Sequence, residues 1–254
     1  MSEAPNPMRA AQAHMRPEPV RRFYKAVDVR ETDGGFALTL DGRVARTPGR
    51  NRLAAVSRPL MLWVVEEWER QGETIDTADM PITRLLNSAI DGVAQAMHET
   101  RAEILRYAGA DLLCYRAEEP ERLAERQRLA FDPVLDWAAR TLGTSFALAA
   151  GVMHVPQPPE TLAAIRVALA AFDDPAALAA LGAMTNLTGS AALALAVAHG
   201  FLSPAEAWRA AHVDEDLQSE LWGVDVEAMA RRDARWREME AAALVLAETE
   251  GREW

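Results

Sequence analysis

Apolar and polar side chains alternate with a period of two over residues 36–40 (FALTL), the pattern of a strand with one buried face. Residues 24–29 before it are rich in β-formers, and Asp33-Gly34-Gly35 supplies a turn between the two. Asp41-Gly42 makes a second tight turn of the kind that needs positive φ, and residues 44–47 read as a third strand closed by Pro48-Gly49. Three short antiparallel strands in succession predict a small β meander. Residues 50–59 follow as an irregular crossover or a further short strand.

The period changes at Pro59. Leu60, Trp63, Val64, Glu67 and Trp68 keep helical spacing as far as Gln71-Gly72, where Gly serves as the stop. After an extended piece over 73–80 the helical pattern resumes at Pro81 and continues through Leu86, Ala89, Val93 and Met97 to Ala108. Further helices are expected over 121–142, 159–171, 175–182, 189–199, 205–221 and 224–248, with breaks short enough for an α bundle. The expected fold class is α+β, a small N-terminal antiparallel β unit followed by a larger C-terminal all-α domain. A Pro- and Ala-rich disordered arm over 1–19, a β-rich domain over 20–75 and a helical domain over 76–254 complete the expected division.

The stretch over 205–225 reads as one long helix opened by Ser203-Pro204. Trp208, Ala211, Glu215, Gln218 and Trp222 then share one narrow stripe, while Ala210, Val213, Leu217 and Leu221 share another, so the helix is expected to be buried on two sides. A carboxylate at Glu215 among indole rings is paired, protonated or awaiting a partner, because an unpaired buried charge is costly; the commoner outcome is that Glu215 reaches the surface or meets an internal arginine. Arg43, Arg84 and Arg116 are the expected internal partners of the acids.

Composition narrows the function. The 254 residues carry a formal charge of -11, which argues against nucleic acid or an anionic membrane as the main partner. No apolar run reaches the roughly 18 residues of a membrane span. A single cysteine, Cys114, excludes an internal disulfide and suits a reducing compartment; its apolar neighbours mark it as inert core. There is no phosphate-binding glycine loop, and the five histidines lack metal-ligand spacing, so no cofactor or metal is expected. The stretch GAMTNLTGS over 182–190 reads as a closely packed helix start with Thr188 or Ser190 as cap. Paired carboxylates are plentiful, at Glu66-Glu67, Asp173-Asp174 and Asp214-Glu215-Asp216, but in an acidic chain most such pairs are solvated faces.

What remains is a set of polar residues among aromatics, including Trp63, Trp68, Gln71, Thr83, Arg84, Asn87, Asp91, Asp111, Arg116, Asp214 and Glu215. Trp, Met and Arg are enriched at interface anchors, so the set suits capture of another protein. The alternative is an enzyme using a tryptophan-lined acidic cleft, with Glu215 or Asp214 as general base.

The segments RRFYKAVDV, GGFALTLDGRVARTP, EWERQGETIDTADMPITRLLNSAID, DLLCYR and AWRAAHVDEDLQSELWGVDVEA together resemble, over about residues 20–230, a known family. It is the assembly chaperones of the F-type ATP synthase catalytic head that bind the alpha subunit, also called assembly factor 2. Arg46 stands where family members often have Lys, and Ser88 where Thr is common. The resemblance implies a non-enzymatic, cytoplasmic bacterial protein, with mitochondrial relatives in the matrix, that is monomeric when free and inserts in no membrane. It also implies that the protein holds the free alpha subunit and shields its beta-facing surface. Trp68 and Gln71 fall on the family's EWxxQ element, Pro81, Asn87 and Asp91 on its MPxTxLxNxAID element, and Asp214, Glu215, Gln218, Trp222 and Gly223 on its DExxQxxxWGxD element. Glu215, Asp214, Gln218, Arg84, Asn87 and Asp91 are therefore the expected partner-binding residues. Trp68, Gln71, Pro81, Trp222 and Gly223 are the expected structural support, with truncation of Trp68 or Trp222 costing several kcal/mol through lost burial.

Overall fold

Two tight turns shape the N-terminal sheet. In the computed structural model, which describes residues 20–151 and 154–252, β1 (Val27–Thr32) pairs antiparallel with β2 (Gly35–Leu40). Asp41 and Gly42, with φ of 48° and 77°, turn β2 into β3 (Arg43–Val44), as a hairpin turn with two left-handed residues requires. The segment over 50–59 does contain a short strand, β4 (Ala54–Ala55), which pairs with the start of β2. A Cβ on Gly35 would lie 2.4 Å from the Ala55 carbonyl oxygen, so only glycine admits this approach. β2 is therefore central, and the one-faced burial expected of it is not found: Ala37, Leu38, Thr39 and Leu40 are all buried. Thr39 meets its polar requirement by donating to the Asp28 carbonyl at 3.1 Å. The arm expected over 1–19 lies outside the described residues.

Ser57 accepts from the Leu60 N–H and opens α1 (Arg58–Glu69), which lays Leu60, Met61 and Val64 against the sheet. The chain entering β1 is tied to the chain leaving α1, since Val20 accepts from Ile75 N–H at 2.8 Å and Tyr24 Oη donates to the Trp68 carbonyl at 2.7 Å.

Helices form the rest. The single helix expected over 81–108 is two, α2 (Pro81–Asp91) and α3 (Met97–Ala108), parted at Gly92 and a short 3-10 turn, Val93–Gln95. Glycine is a poor helix former, and the preceding Asp91 is pinned to the loop after β3, so the axis breaks there. α4 (Glu121–Leu142) follows, and β5 (Tyr115–Arg116) pairs in parallel with β6 (Ala149–Ala150). After α5 (Pro159–Ala170), α6 (Pro175–Thr188) runs a turn and a half beyond the expected 175–182, because Gly182 is carried inside the helix. Most of GAMTNLTGS thus completes α6, and Ser190 caps α7 (Ala191–Ala198) by accepting from Leu193 N–H at 3.0 Å. All eight residues of α7 are buried, and α6 packs against α2, α3 and α7.

The long helix expected over 205–221 is also two, α8 (Pro204–Ala211) and α9 (Val213–Trp222). The break falls at His212, whose φ of −115° and ψ of 19° leave the helical region. Its buried ring lies tilted against the Trp208 ring, 4.0 Å between centroids, and places Nδ1 2.7 Å from the Trp208 carbonyl oxygen. Once helical phase is lost, the tryptophan stripe does not exist: Trp208 is buried, whereas Trp222 is 86% exposed. α9 buries only Leu217. The last helix, α10 (Val226–Glu250), packs residues from Met239 onward against α6, while its first half, up to Glu238, is exposed or half-buried.

Candidate partner-binding site

The corner between α9 and α10 carries apolar side chains that the core does not use. Gly223, with φ 88° and ψ 170°, makes the turn in a conformation open almost only to glycine. Asp225 then caps α10 through the N–H groups of Glu227 and Ala228. Around this turn Leu221, Trp222, Val224, Val226 and Met229 all face solvent. Trp222 and Met229 border a cavity of about 490 Å³ with Glu215, Gln218, Arg231 and Arg235.

For Glu215 this geometry gives the surface, one of the two commoner outcomes expected, and removes the tryptophan stripe around it. It is not held among indole rings: its side chain is 61% exposed, with His212 Nε2 3.9 Å away. Desolvation, outweighing the nearby Glu215 carboxylate, holds the His212 imidazole below the usual histidine range. Trp222 is the only tryptophan at this cavity among the described residues, and three arginines line it beside the acids, so the expected tryptophan-lined acidic cleft is not formed. Nor does burial make Trp222 a scaffold residue. Trp222→Ala is expected to leave the unfolding free energy within about 0.5 kcal/mol of native, as checked by urea denaturation.

The other candidates are spread over three places. Asp214 points away from the cavity and accepts from Gln127 Nε2 at 2.8 Å. Arg84 bridges elements, donating to the Thr77 and Ala78 carbonyls and pairing with Glu238 of α10 at 2.7 Å. Asp91 binds the loop after β3, accepting from Thr47 Oγ1 at 2.6 Å, Gly49 N–H at 2.7 Å and Asn51 Nδ2 at 2.9 Å. The Thr47 and Asn51 hydrogen bonds hold its carboxyl below the usual range. Asn87 is half-buried on α2 between these two. Gln71 is buried, donates to the Glu67 carbonyl and accepts from Asp76 N–H at 2.7 Å, and Pro81 opens α2. Trp68 is half-buried against Tyr24. Of the expected internal cations, Arg116 pairs with Asp132 at 2.8 Å and Arg84 with Glu238; Arg43 lies exposed on the β3 hairpin.

Sequence reasoning missed Met229, Arg231, Arg232 and Arg235. Their signal is the run MARRDAR, basic residues at helical spacing beside a methionine in a chain of opposite net charge. Arg232 pairs with Asp216, and Arg235 donates to the Leu187 carbonyl at 2.8 Å. Among the described residues no cluster of three or more His, Cys, Asp or Glu could hold a metal, and no helix is long and apolar enough to cross a membrane.

Comparison with known proteins adds the lineage. The family described as ATP12 chaperone protein matches residues 21–139. Atp12 from Paracoccus denitrificans is 39% identical in sequence, and its crystal structure superposes with a TM-score of 0.84 over 91% of this chain and 98% of that one. The chain belongs to the ATP12 chaperone family. A point mutant of P. denitrificans Atp12p gives a TM-score of 0.83 at 38% identity, over the same shares of both chains. A candidate chaperone from Agrobacterium tumefaciens is 48% identical, with a TM-score of 0.88 over 96% of this chain and 92% of its own. The ATP12 match spans the sheet and the first helices through most of α4, and the solved relatives extend it to the α9–α10 corner.

Proposed function

We propose that this ATP12-family protein is a chaperone for assembly of the F-type ATP synthase catalytic head, holding the free alpha subunit at the α9–α10 corner. The corner would cover the alpha surface that later faces beta, and release it as the head forms. The observation that carries this reading is the exposed apolar group at Leu221, Trp222, Val224, Val226 and Met229, bordered by arginines and Glu215. An apolar patch with a polar rim is the composition of a protein-docking site, and Trp, Met and Arg are among the residues enriched there. Glu215, free of burial, is placed to meet a cation or backbone amide of the client. Membership of a chaperone family supports a non-enzymatic role, and the chain's single cysteine supports a cytoplasmic setting.

The test is co-purification of the tagged protein with separately expressed alpha and beta subunits. Native protein is expected to retain alpha alone. Trp222→Ala and Glu215→Lys are each expected to weaken that binding about tenfold or more, with circular dichroism and Tm unchanged. Retention of neither subunit by the native protein would overturn the reading.

A further inference from the structure

Charge is divided unevenly between the sheet and the helices. Residues 20–58 hold nine Lys and Arg against four Asp and Glu, a formal +5, whereas residues 59–254 hold sixteen against thirty-two, a formal −16. The same division appears in the ion pairs. Every ion pair among the described residues joins groups from residue 79 onward, and none of the nine cations over 20–58 has a described carboxylate within 4.0 Å. Instead Arg22, Arg30 and Arg46 donate to backbone carbonyls, which orients each guanidinium without neutralising it. The unit's Asp41 is occupied by the Lys25 and Ala26 N–H groups, at 3.0 and 2.8 Å.

Two of these cations, Arg43 and Arg46, border a hollow rather than a plane. A cavity of about 600 Å³ is lined by Phe23, Tyr24, Asp41, Arg43, Arg46 and Trp68. Phe23 is 67% exposed and meets Tyr24 edge-on at 5.4 Å; Tyr24 in turn leans on Trp68 at 5.4 Å and carries the Arg22 guanidinium 4.6 Å from its ring centre. Arginine beside an aromatic wall matches a carboxylate in fork geometry while leaving an apolar slot for a neighbouring side chain.

We propose that this basic, aromatic face of the β unit is a second docking surface, which takes an acidic segment of the client polypeptide and seats one apolar side chain of that segment beside Phe23. The proposal rests on the chaperone reading and assigns the chemistry of a further contact. Charge complementarity selects the occupant: residues 59–254 at −16 repel an acidic segment, and residues 20–58 at +5 attract it, so the approach is steered to the sheet. A flat anionic bilayer would meet the cations but leave the cavity empty.

The direct probe is a fluorescein-labelled heptapeptide of acidic residues around one central Trp, with a lysine counterpart as control, followed by anisotropy at 50 and 300 mM salt. Native protein is expected to bind the acidic peptide and lose at least about tenfold in affinity at the higher salt. Arg43→Glu combined with Arg46→Glu, both exposed, is expected to lose about tenfold or more at low salt with an unchanged Tm, and Arg43→Gln with Arg46→Gln to fall between. Glu215→Lys should leave peptide binding untouched. In the alpha-subunit assay, the charge-reversed pair should weaken retention and flatten its salt dependence. Peptide binding that survives charge reversal, or alpha binding indifferent to it, overturns the proposal. Tighter binding to phosphatidylglycerol vesicles than to the peptide overturns it in favour of a lipid surface, and concentration-dependent association lost on charge reversal overturns it in favour of a second copy. If the peptide behaves as expected while native protein retains no alpha subunit, the acidic-segment chemistry stands and the client assignment fails.

Discussion

Glu67→Ala is expected to lower the unfolding free energy by about 3–5 kcal/mol, enough to reduce Tm by roughly 10 °C in a chain of this size. Glu67 sits on the buried face of α1, yet its carboxylate belongs functionally to α2. Oε1 accepts from Ile82 N–H at 2.7 Å, and Oε2 accepts from Thr83 N–H at 2.8 Å and Thr83 Oγ1 at 2.7 Å. These are donors of the first turn of α2, which have no intrahelical partner, and the N-cap residue Met80 has no side chain able to serve them. A carboxylate is therefore supplied from a neighbouring helix, where it also meets the positive end of the helix dipole. Burial raises the Glu67 carboxyl above its ordinary range, and the Thr83 and Ile82 bonds oppose that shift. Alanine leaves three buried donors unpaired. Glu67→Gln fills the same volume but turns an amide N–H toward a backbone N–H, so it should recover only part of the loss. Thr83→Val, which removes one of the three bonds, should cost no more than about 2 kcal/mol. Urea denaturation of the three variants measures the order; equal costs for Glu67→Ala and Thr83→Val would show that the capping role is absent.

The same residue shows what could be read from the chain alone. Leu60, Val64 and Glu67 keep one helical phase, but Glu67 reads only as a member of the acidic pairs expected to be mostly solvated; it is in fact buried, and its carboxylate is satisfied by the start of α2. At Glu215 the rule that a buried charge must be paired has no buried charge to act on: the side chain reaches the surface, and the tryptophan stripe that posed the question rested on an unbroken helix. His212 has no Gly or Pro beside it, and the break depends on its ring lodging against Trp208, a contact invisible to periodicity. The hairpins were legible because Asp-Gly and Gly-Gly turns are local chemistry. β4 was open as one of two readings of 50–59, and β5 and β6 were not legible at all, since two-residue strands carry no period and exist only where a partner strand arrives. At the candidate site the motifs named Glu215, Gln218 and Trp222, but the surface they share with Met229 and Arg231 depends on the turn at Gly223 folding α10 back along α9.

Asp111→Asn is expected to cost about 2–4 kcal/mol, and the cost should shrink as pH rises. Asp111 is fully buried and joins two elements: Oδ1 accepts from Leu113 N–H at 3.1 Å, and Oδ2 from Ala192 N–H, at the start of α7, at 3.0 Å. Asparagine presents an N–H to one of these donors. Desolvation is the largest influence on the carboxyl and pushes its pKa up to about 6, against the opposing bonds from Ser190, Ala192, Leu113 and Ala191. Between roughly pH 4, where the carboxyl titrates in the unfolded chain, and about pH 6, the native state binds more protons than the unfolded state, so this group's contribution to stability falls as pH rises. Asparagine binds no proton over that range. The difference between native protein and variant should therefore be widest near pH 4, narrow through about 6 and level off above 7, with a total change of at most about 3 kcal/mol. Urea denaturation of both proteins across this range gives the curve. A difference that grew with pH would mean that the converging N–H groups hold the carboxylate ionised, and that hydrogen bonding outweighs desolvation at the junction between α7 and the turn before β5.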